Sequence, residues 1–232
     1  MLVVEDDPSI RRFIEMALDG EPVRVHTAGT LTDGLRALRL DGPFRLVFTD
    51  LMLPDGSGET LLQALATEPA LRAGARVAVF SAGLSGERRE RLLQLGADEL
   101  IAKPAPVAQL LGCLHQALRS DAVAAAPAPA GSAVQRFFAG DQGLYDAYRA
   151  SCLQQFAADL RSGDDAVARA DWPALRRLAH SLKSVLLTLG HDADSGVARQ
   201  LEDDAAASRA DAARAGWATL AAALQRLAAP SA

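Results

Sequence analysis

The sequence predicts two folds in series, a doubly wound α/β domain followed by an all-α bundle. Three observations point to it. Five short apolar runs alternate with helix-like stretches up to about residue 120. An Ala/Pro-rich stretch, DAVAAAPAPAGSAV, then interrupts the pattern at Asp121–Val134. Beyond it no strand pattern remains, only helical periodicity.

The apolar runs are LVVE (2–5), VRVHTA (23–28), FRLVFTD (44–50), ARVAVFS (75–81) and ELIAK (99–103). RRFIEMAL, LTDGLRALRL, GETLLQALAT, GERRERLLQL and VAQLLGCLHQAL lie between and after them. Such alternation implies a parallel sheet with helices on both faces. LVFT and VAVF are continuously apolar, as strands covered on both faces are. The first domain is therefore read as 1–120, the spacer as 121–134 and the second domain as 135–232. Alternating Ala-Pro favours an extended, semi-rigid linker.

In the second domain, helical segments are expected over about 135–139, 143–161, 164–189, 193–207 and 210–228. Trp172, Leu175, Ala179, Leu182, Leu186 and Leu189 recur at steps of 3 and 4, which marks one apolar helical stripe. Asp171 is a natural N-cap with Pro173 in the first turn, and Gly190 sits where a C-terminal glycine belongs. This half reads as a small helical bundle.

Composition narrows the function. Half of the 232 residues are hydrophobic and 23% are charged, too apolar for a disordered chain. Residues 1–120 carry 13 Lys and Arg against 16 Asp and Glu, and residues 121–232 carry 11 against 13. Neither half has the positive excess that nucleic-acid binding needs. No apolar run approaches the roughly 20 residues that cross a bilayer, and the N-terminus lacks a signal-peptide layout. Cys113 and Cys152 have no metal-ligand spacing and read as small buried hydrophobes in a reducing cytosol, so a cytoplasmic protein is expected. Of 24 basic residues 22 are arginine; the two lysines are Lys103 and Lys183.

In an open parallel sheet, ligands bind beyond the carboxyl ends of the strands, where strand order reverses. The first strand delivers Glu5, Asp6 and Asp7 to that edge, the third Asp50, the fourth Ser81, and the fifth Lys103 followed by Pro104. With strand order 2-1-3-4-5, Glu5, Asp6 and Asp50 crowd together. Three carboxylates repel unless a cation joins them, and hard oxygen ligands suit Mg²⁺, which keeps waters for a phosphoryl group. A carboxylate beside Mg²⁺ can act as nucleophile toward phosphorus. Lys103 and the Ser81 hydroxyl can bind the phosphoryl oxygens. Gly56 and Gly58 read as turn residues after Pro54, because no Gly-Lys-Ser/Thr follows.

VVEDDP, LVFTDLMLPDGSG, VFSA and GADELIAKP resemble the receiver domain of two-component response regulators, over residues 1 to about 120. The resemblance implies a flavodoxin-like fold of five strand–helix units, with Asp50 as phosphoacceptor. It also implies Mg²⁺ held directly by Asp6 and Asp50, by Glu5 through water and by the Met52 carbonyl. Ser81 and Lys103 would hold the phosphoryl group. Leu100 stands where the family usually has Tyr or Phe.

In HSLKS, His180 and Lys183 are three apart and share a helix face. With Arg176 and Leu187 they form a stripe beside the apolar one, so His180 is expected to be solvent-accessible. Neutral imidazole is a nucleophile toward phosphorus near pH 7; Lys183 can neutralise an arriving phosphoryl group, and small Ser184 leaves room for a partner. ADWPALRRLAHSLKSVLLTLG resembles the histidine phosphotransfer (HPt) domain, over about 135–228. That implies a four-helix bundle whose central histidine, here His180, carries phosphate. Ser184 stands where the family often has Gly. Val185, Leu186 and Leu187 stand where it often has small residues, which suggests an apolar docking surface or a different packing. His26, His115 and His191 show no partner pattern. The two lysines fall one in each motif.

The resemblances together imply a phosphorelay protein that accepts phosphate on Asp50 and carries or transfers it via His180. It has no ATP-binding kinase motif, so phosphate comes from a sensor histidine kinase, and another receiver or HPt protein is the further partner. Two alternatives stay open: a phosphorylation-controlled binding module in which His180 is not phosphorylated, and a phosphate sink that hydrolyses at Asp50.

Overall fold

The computed structural model describes residues 1–82, 86–118 and 131–229. They form two compact units, Met1–Ala130 with Arg136–Ala139, and Gly131–Gln135 with Gly140–Ala232. The segment read as a linker lies outside the described residues as far as 130; its last two residues open a helix instead.

The first unit runs β1 (Leu2–Val4), α1 (Pro8–Ala17), β2 (His26–Ala28), α2 (Leu31–Leu40) and β3 (Leu46–Thr49). A hairpin of β4 (Met52–Leu53) and β5 (Gly56–Ser57) follows, then α3 (Gly58–Thr67) and α4 (Pro69–Arg72). The unit closes with β6 (Arg76–Ser81), α5 (Gly86–Gln94), β7 (Glu99–Ala102) and α6 (Val107–Leu118). Five strands make one parallel sheet in the order β2-β1-β3-β6-β7, which counted within the sheet is the expected 2-1-3-4-5. Every residue of β1 and β3 is buried, as central strands covered on both faces require, while edge strands β2 and β7 are partly exposed. β2 is shorter than the run that predicts it: it pairs with Leu2–Val4 of β1, and before it a single bond, from the Met1 amine to the Arg24 carbonyl at 2.7 Å, continues the contact.

Register positions the functional edge. Val4 pairs with Thr49 and Ser81 with Ala102, so the residues that follow β1 and β3 leave the sheet side by side. The helices that start at this edge are capped by short polar side chains. Asp7 accepts from the Ile10 N–H and Thr30 from the Asp33 N–H, bonds of a kind that hold a helix start by about 1 kcal/mol each.

α7 (Ala133–Phe138) is divided between the units, with residues 133–135 in the second and 136–138 in the first, and the second unit holds four further helices: α8 (Gln142–Ala168), α9 (Trp172–Thr188), α10 (Asp192–Ala206) and α11 (Ala210–Ala228). α8 packs on α9 and α11, and α10 packs on the same two, which closes a four-helix ring. The expected stripe is confirmed: Leu175, Ala179, Leu182, Leu186 and Leu189 are buried, with Trp172 partly so. Gly190 ends α9 with the His191 N–H donating to the Leu186 carbonyl at 2.8 Å.

Two expectations are corrected. The sequence suggests a break near residues 162–163, but α8 continues to Ala168 and the chain turns at Ala170, before the Asp171 cap. Gly163 is not a turn residue. A Cβ there would lie 2.1 Å from the Trp217 indole of α11, so glycine lets two helices approach, and the Trp217 Nε1–H donates to Asp164 Oδ1 at 2.8 Å. Likewise Val185 and Leu186 are 1% and 0% exposed. They belong to the bundle core, which removes them as a docking surface. Among the described residues no helix is long and apolar enough to cross a membrane.

Gly163→Ala gains about 1 kcal/mol in helix propensity but forces a methyl into a rigid ring, an overpacking that costs about 1–3 kcal/mol. A net loss of stability is expected. Both tryptophans, Trp172 and Trp217, lie in the second unit, so urea unfolding followed by tryptophan fluorescence reads it alone. A midpoint unchanged or raised would sink this account of the glycine.

Candidate functional site

The first unit gathers Glu5, Asp6 and Asp50 as expected. One carboxylate oxygen from each lies within 4.8 Å of the others. Lys103, delivered by the end of β7, donates from Nζ to Glu5 Oε2 at 2.5 Å and to Asp50 Oδ2 at 2.7 Å. The second Asp50 oxygen, Oδ1, accepts the Leu51 N–H at 2.6 Å. Glu5, Asp50, Ser81 and Lys103 are all buried, and the Lys103 ammonium stands over the Phe80 ring at 5.1 Å. Ser81 is placed beside Lys103 by the ladder, where the Lys103 N–H donates to the Ser81 carbonyl at 3.0 Å. Met52 opens β4 two residues past Asp50. Asp7 is turned away to its capping bond.

Charge explains the titration behaviour. Burial works against the Lys103 ammonium, but the Asp50 and Glu5 carboxylates outweigh it and hold its pKa above the ordinary value. Burial, helped by the Asp50 charge, pushes Asp6 up to about 6 and raises Glu5 as well, against the pull of Lys103. One ammonium among three carboxylates leaves net negative charge in a water-poor site. That donor set, all hard oxygen, fits a divalent cation such as Mg²⁺.

Sequence reasoning underrated Gly58. A Cβ there would lie 2.1 Å from the Asp50 carbonyl oxygen, so the start of α3 passes the end of β3 at a distance only glycine allows. Its signal was already in the motif, eight residues after Asp50. Gly56 sits in β5 against Leu31. Leu100 is half-buried and packs against the sheet core.

The second unit places His180 differently from expectation. The residue is 4% exposed, not solvent-accessible. The cause is Glu202 on α10. Its Oε1 lies 2.7 Å from His180 Nδ1, and its Oε2 accepts from Lys183 Nζ at 2.5 Å. One carboxylate therefore draws the imidazole and the ammonium onto the seam between α9 and α10. Burial raises a carboxyl pKa, but the hydrogen bonds from His180 and Lys183 outweigh it and bring Glu202 down to about 2. An ionised carboxylate only accepts, so Nδ1 carries the proton and neutral His180 keeps its lone pair on Nε2. Nε2 has no hydrogen-bond partner among the described residues, and neither does the buried Ser184 hydroxyl. Arg176 is exposed and Leu187 half-buried.

Glu202 was missed in the sequence because nothing local marks it. It lies 22 residues from His180, in an acidic run, and meets the histidine only once α10 folds against α9. Of the other histidines, His115 approaches Glu21 at 3.0 Å and His26 packs edge-on against Phe44. His191 sits at the N-cap of α10 with no side-chain capping bond.

The Glu202 pair has a pH signature. Its folded pKa lies below the ordinary 4.5, so its stabilisation is complete above that value and is lost as pH falls toward about 2. Glu202→Gln is expected to cost about 1–3 kcal/mol at neutral pH and to flatten the stability difference across that acid window. Urea unfolding by tryptophan fluorescence between pH 2.5 and about 7 reads both. Parallel curves for the two proteins would remove the ion pair from the account.

Two stretches of the chain match known families. Residues 1–115 match the response regulator receiver domain family, and residues 147–230 match the Hpt domain family. Over 129 residues the chain is 36% identical to the KDP operon transcriptional regulatory protein KdpE of Escherichia coli (strain K12), covering 56% of this chain and 55% of that protein. It is 34% identical over 128 residues to the transcriptional regulatory protein KdpE of Mycobacterium tuberculosis (strain CDC 1551 / Oshkosh), covering 54% and 53%. The chain thus spans about half the length of these relatives. The crystal structure of a CheY-like response regulator receiver domain protein from Methanospirillum hungatei JF-1 is 31% identical, with a TM-score of 0.46, covering 50% of this chain and 90% of that one. Residues 1–115 are therefore a response regulator receiver domain and residues 147–230 an Hpt domain, carried on one chain.

Proposed function

We propose that the chain is a two-component phosphorelay protein that accepts a phosphoryl group on Asp50 and carries or passes one on His180. The observation that carries this reading is that each domain holds one phosphorus nucleophile in an ion-paired cluster built on one of the two lysines. Glu5, Asp6, Asp50 and the Met52 carbonyl would hold Mg²⁺, which supplies charge neutralisation for the phosphoryl oxygens. Asp50 attacks phosphorus on a donor, and the donor's bond to phosphorus breaks as the new O–P bond forms. Lys103 and Ser81 bind the phosphoryl oxygens.

His180 then takes the group from an aspartyl phosphate: Nε2 forms the N–P bond, the O–P bond breaks, and the aspartate leaves as carboxylate. The Nδ1 proton stays in its bond to Glu202, whose negative charge stabilises the positive ring. The chain supplies no kinase step of its own in this reading. A sensor histidine kinase is the upstream partner, and another receiver or HPt protein the downstream one. The setting is the reducing cytoplasm, in which the buried thiols of Cys113 and Cys152 persist.

The burial of His180 favours one other reading, a binding module whose histidine never carries phosphate. The test is intact-protein mass after incubation with acetyl phosphate and Mg²⁺, followed by base or acid treatment. Asp50→Asn is expected to abolish base-labile phosphate, and His180→Gln to abolish base-stable, acid-labile phosphate. Chelation of Mg²⁺ is expected to slow Asp50 loading by about 100-fold or more. Wild-type protein that gains no base-stable phosphate, even from a separately phosphorylated receiver, overturns the relay and leaves the binding module.

A further inference from the structure

We propose that the Ser184 hydroxyl is a hydrogen-bond donor to the phosphoryl group on His180 Nε2, a role that rests on the phosphotransfer reading above. Ser184 is 3% exposed and its Oγ has no partner among the described residues. A serine inside a helix ordinarily points to water or bonds back to the carbonyl four residues earlier. This one does neither. Two nearby hydroxyls are matched: Thr188 Oγ1 bonds back to the Ser184 carbonyl at 2.9 Å, and Ser195 Oγ on α10 donates across the seam to the Lys183 carbonyl at 2.8 Å. Among the described residues, Ser184 Oγ is the one fully buried hydroxyl without a partner.

A buried polar atom left without a partner costs free energy, and where a folded protein keeps one, a ligand or a reacting group is a common reason. Here two such atoms occur together. His180 and Ser184 are four residues apart on α9 and share a face. Nε2 offers a lone pair and Ser184 offers a hydroxyl proton, yet the two atoms do not bond to each other. A phosphoryl group answers both at once, because it bonds covalently to Nε2 and presents oxygens that accept from the hydroxyl.

The neighbouring charges divide the work. Lys183 is joined to Glu202 and supplies positive charge beside the ring, while Glu202 holds the Nδ1 proton. Ser184 supplies a directional donor, which a glycine in its place could not. The atoms balance: the N–P bond forms as the donor's bond to phosphorus breaks and the donor leaves with that electron pair, the ring proton stays on Nδ1 in its bond to Glu202, and Ser184 keeps its proton while donating to a phosphoryl oxygen.

The test uses full-length protein and phosphoramidate as a small phosphoryl donor, with base-stable phosphate as the readout and His180→Gln as the blank. Ser184→Ala is expected to slow loading at saturating donor by about 10- to 100-fold, to leave the half-saturating donor concentration unchanged, and to shorten the lifetime of the phosphohistidine. Its melting temperature is expected to stay the same or rise, because an unmatched hydroxyl has been removed. Loading and lifetime equal to wild type overturn the inference, and so does slowed loading accompanied by a lowered melting temperature. Failure of the wild type itself to gain base-stable phosphate overturns the underlying relay reading, which separates the two failures.

Discussion

A buried ammonium shared between two carboxylates is the interaction on which the receiver site depends. Lys103 touches Glu5 and Asp50 at 2.5 and 2.7 Å, in a pocket where all three side chains are about 1% exposed. Without that charge, three acids at one sheet edge would repel each other in low dielectric. Removing one partner of such a buried pair costs several kcal/mol, typically about 3–5. The helical domain solves the converse problem. There a single carboxylate, Glu202, is shared between an imidazole and an ammonium. A compact ammonium with three rotatable donors can bridge partners in different directions, where the planar fork of arginine favours one bidentate partner. This accounts for lysine at two positions in a chain that otherwise uses arginine throughout.

Both clusters stand on rigid elements. Asp50 follows β3, which is hydrogen-bonded to a parallel strand on either side, and Lys103 follows β7 in the same sheet. His180 lies in the middle of a 17-residue helix, pinned across the seam by Glu202 and by the Ser195 bond to the Lys183 carbonyl. Sites held this way lose little entropy when a phosphoryl group arrives, because their geometry is already set. Gly58 belongs to the same logic, since the close pass of α3 over the Asp50 backbone fixes the strand end from above.

Much of this was legible in the sequence, for identifiable reasons. Buried parallel strands read as continuous apolar runs, and the strand order brings the residues after β1, β3 and β7 to one edge, so Glu5, Asp6, Asp50 and Lys103 could be placed together. The α9 stripe and its Asp171 cap could be read from period and residue type. What escaped depends on contacts between elements distant in sequence. The close fit that keeps α8 continuous through Gly163 left no local signal, because its partner, Trp217, is 54 residues away. The short β4–β5 hairpin has too few residues to show a period. His180 lies beside the apolar stripe, where a side chain is exposed or buried according to what the neighbouring helix offers; α10 offers Glu202, and the ring turns inward.

The central claim is that Glu202 fixes His180 with its proton on Nδ1, which leaves Nε2 to bond phosphorus. Nitrogen-15 and phosphorus-31 NMR of the phosphorylated full-length chain, labelled at histidine, tests this most directly. A phosphorus coupling to Nε2 of His180, with a protonated Nδ1 that loses its hydrogen-bonded shift in Glu202→Gln, is the expected result. Phosphorus on Nδ1, or a free imidazole protonated at Nε2, would contradict it.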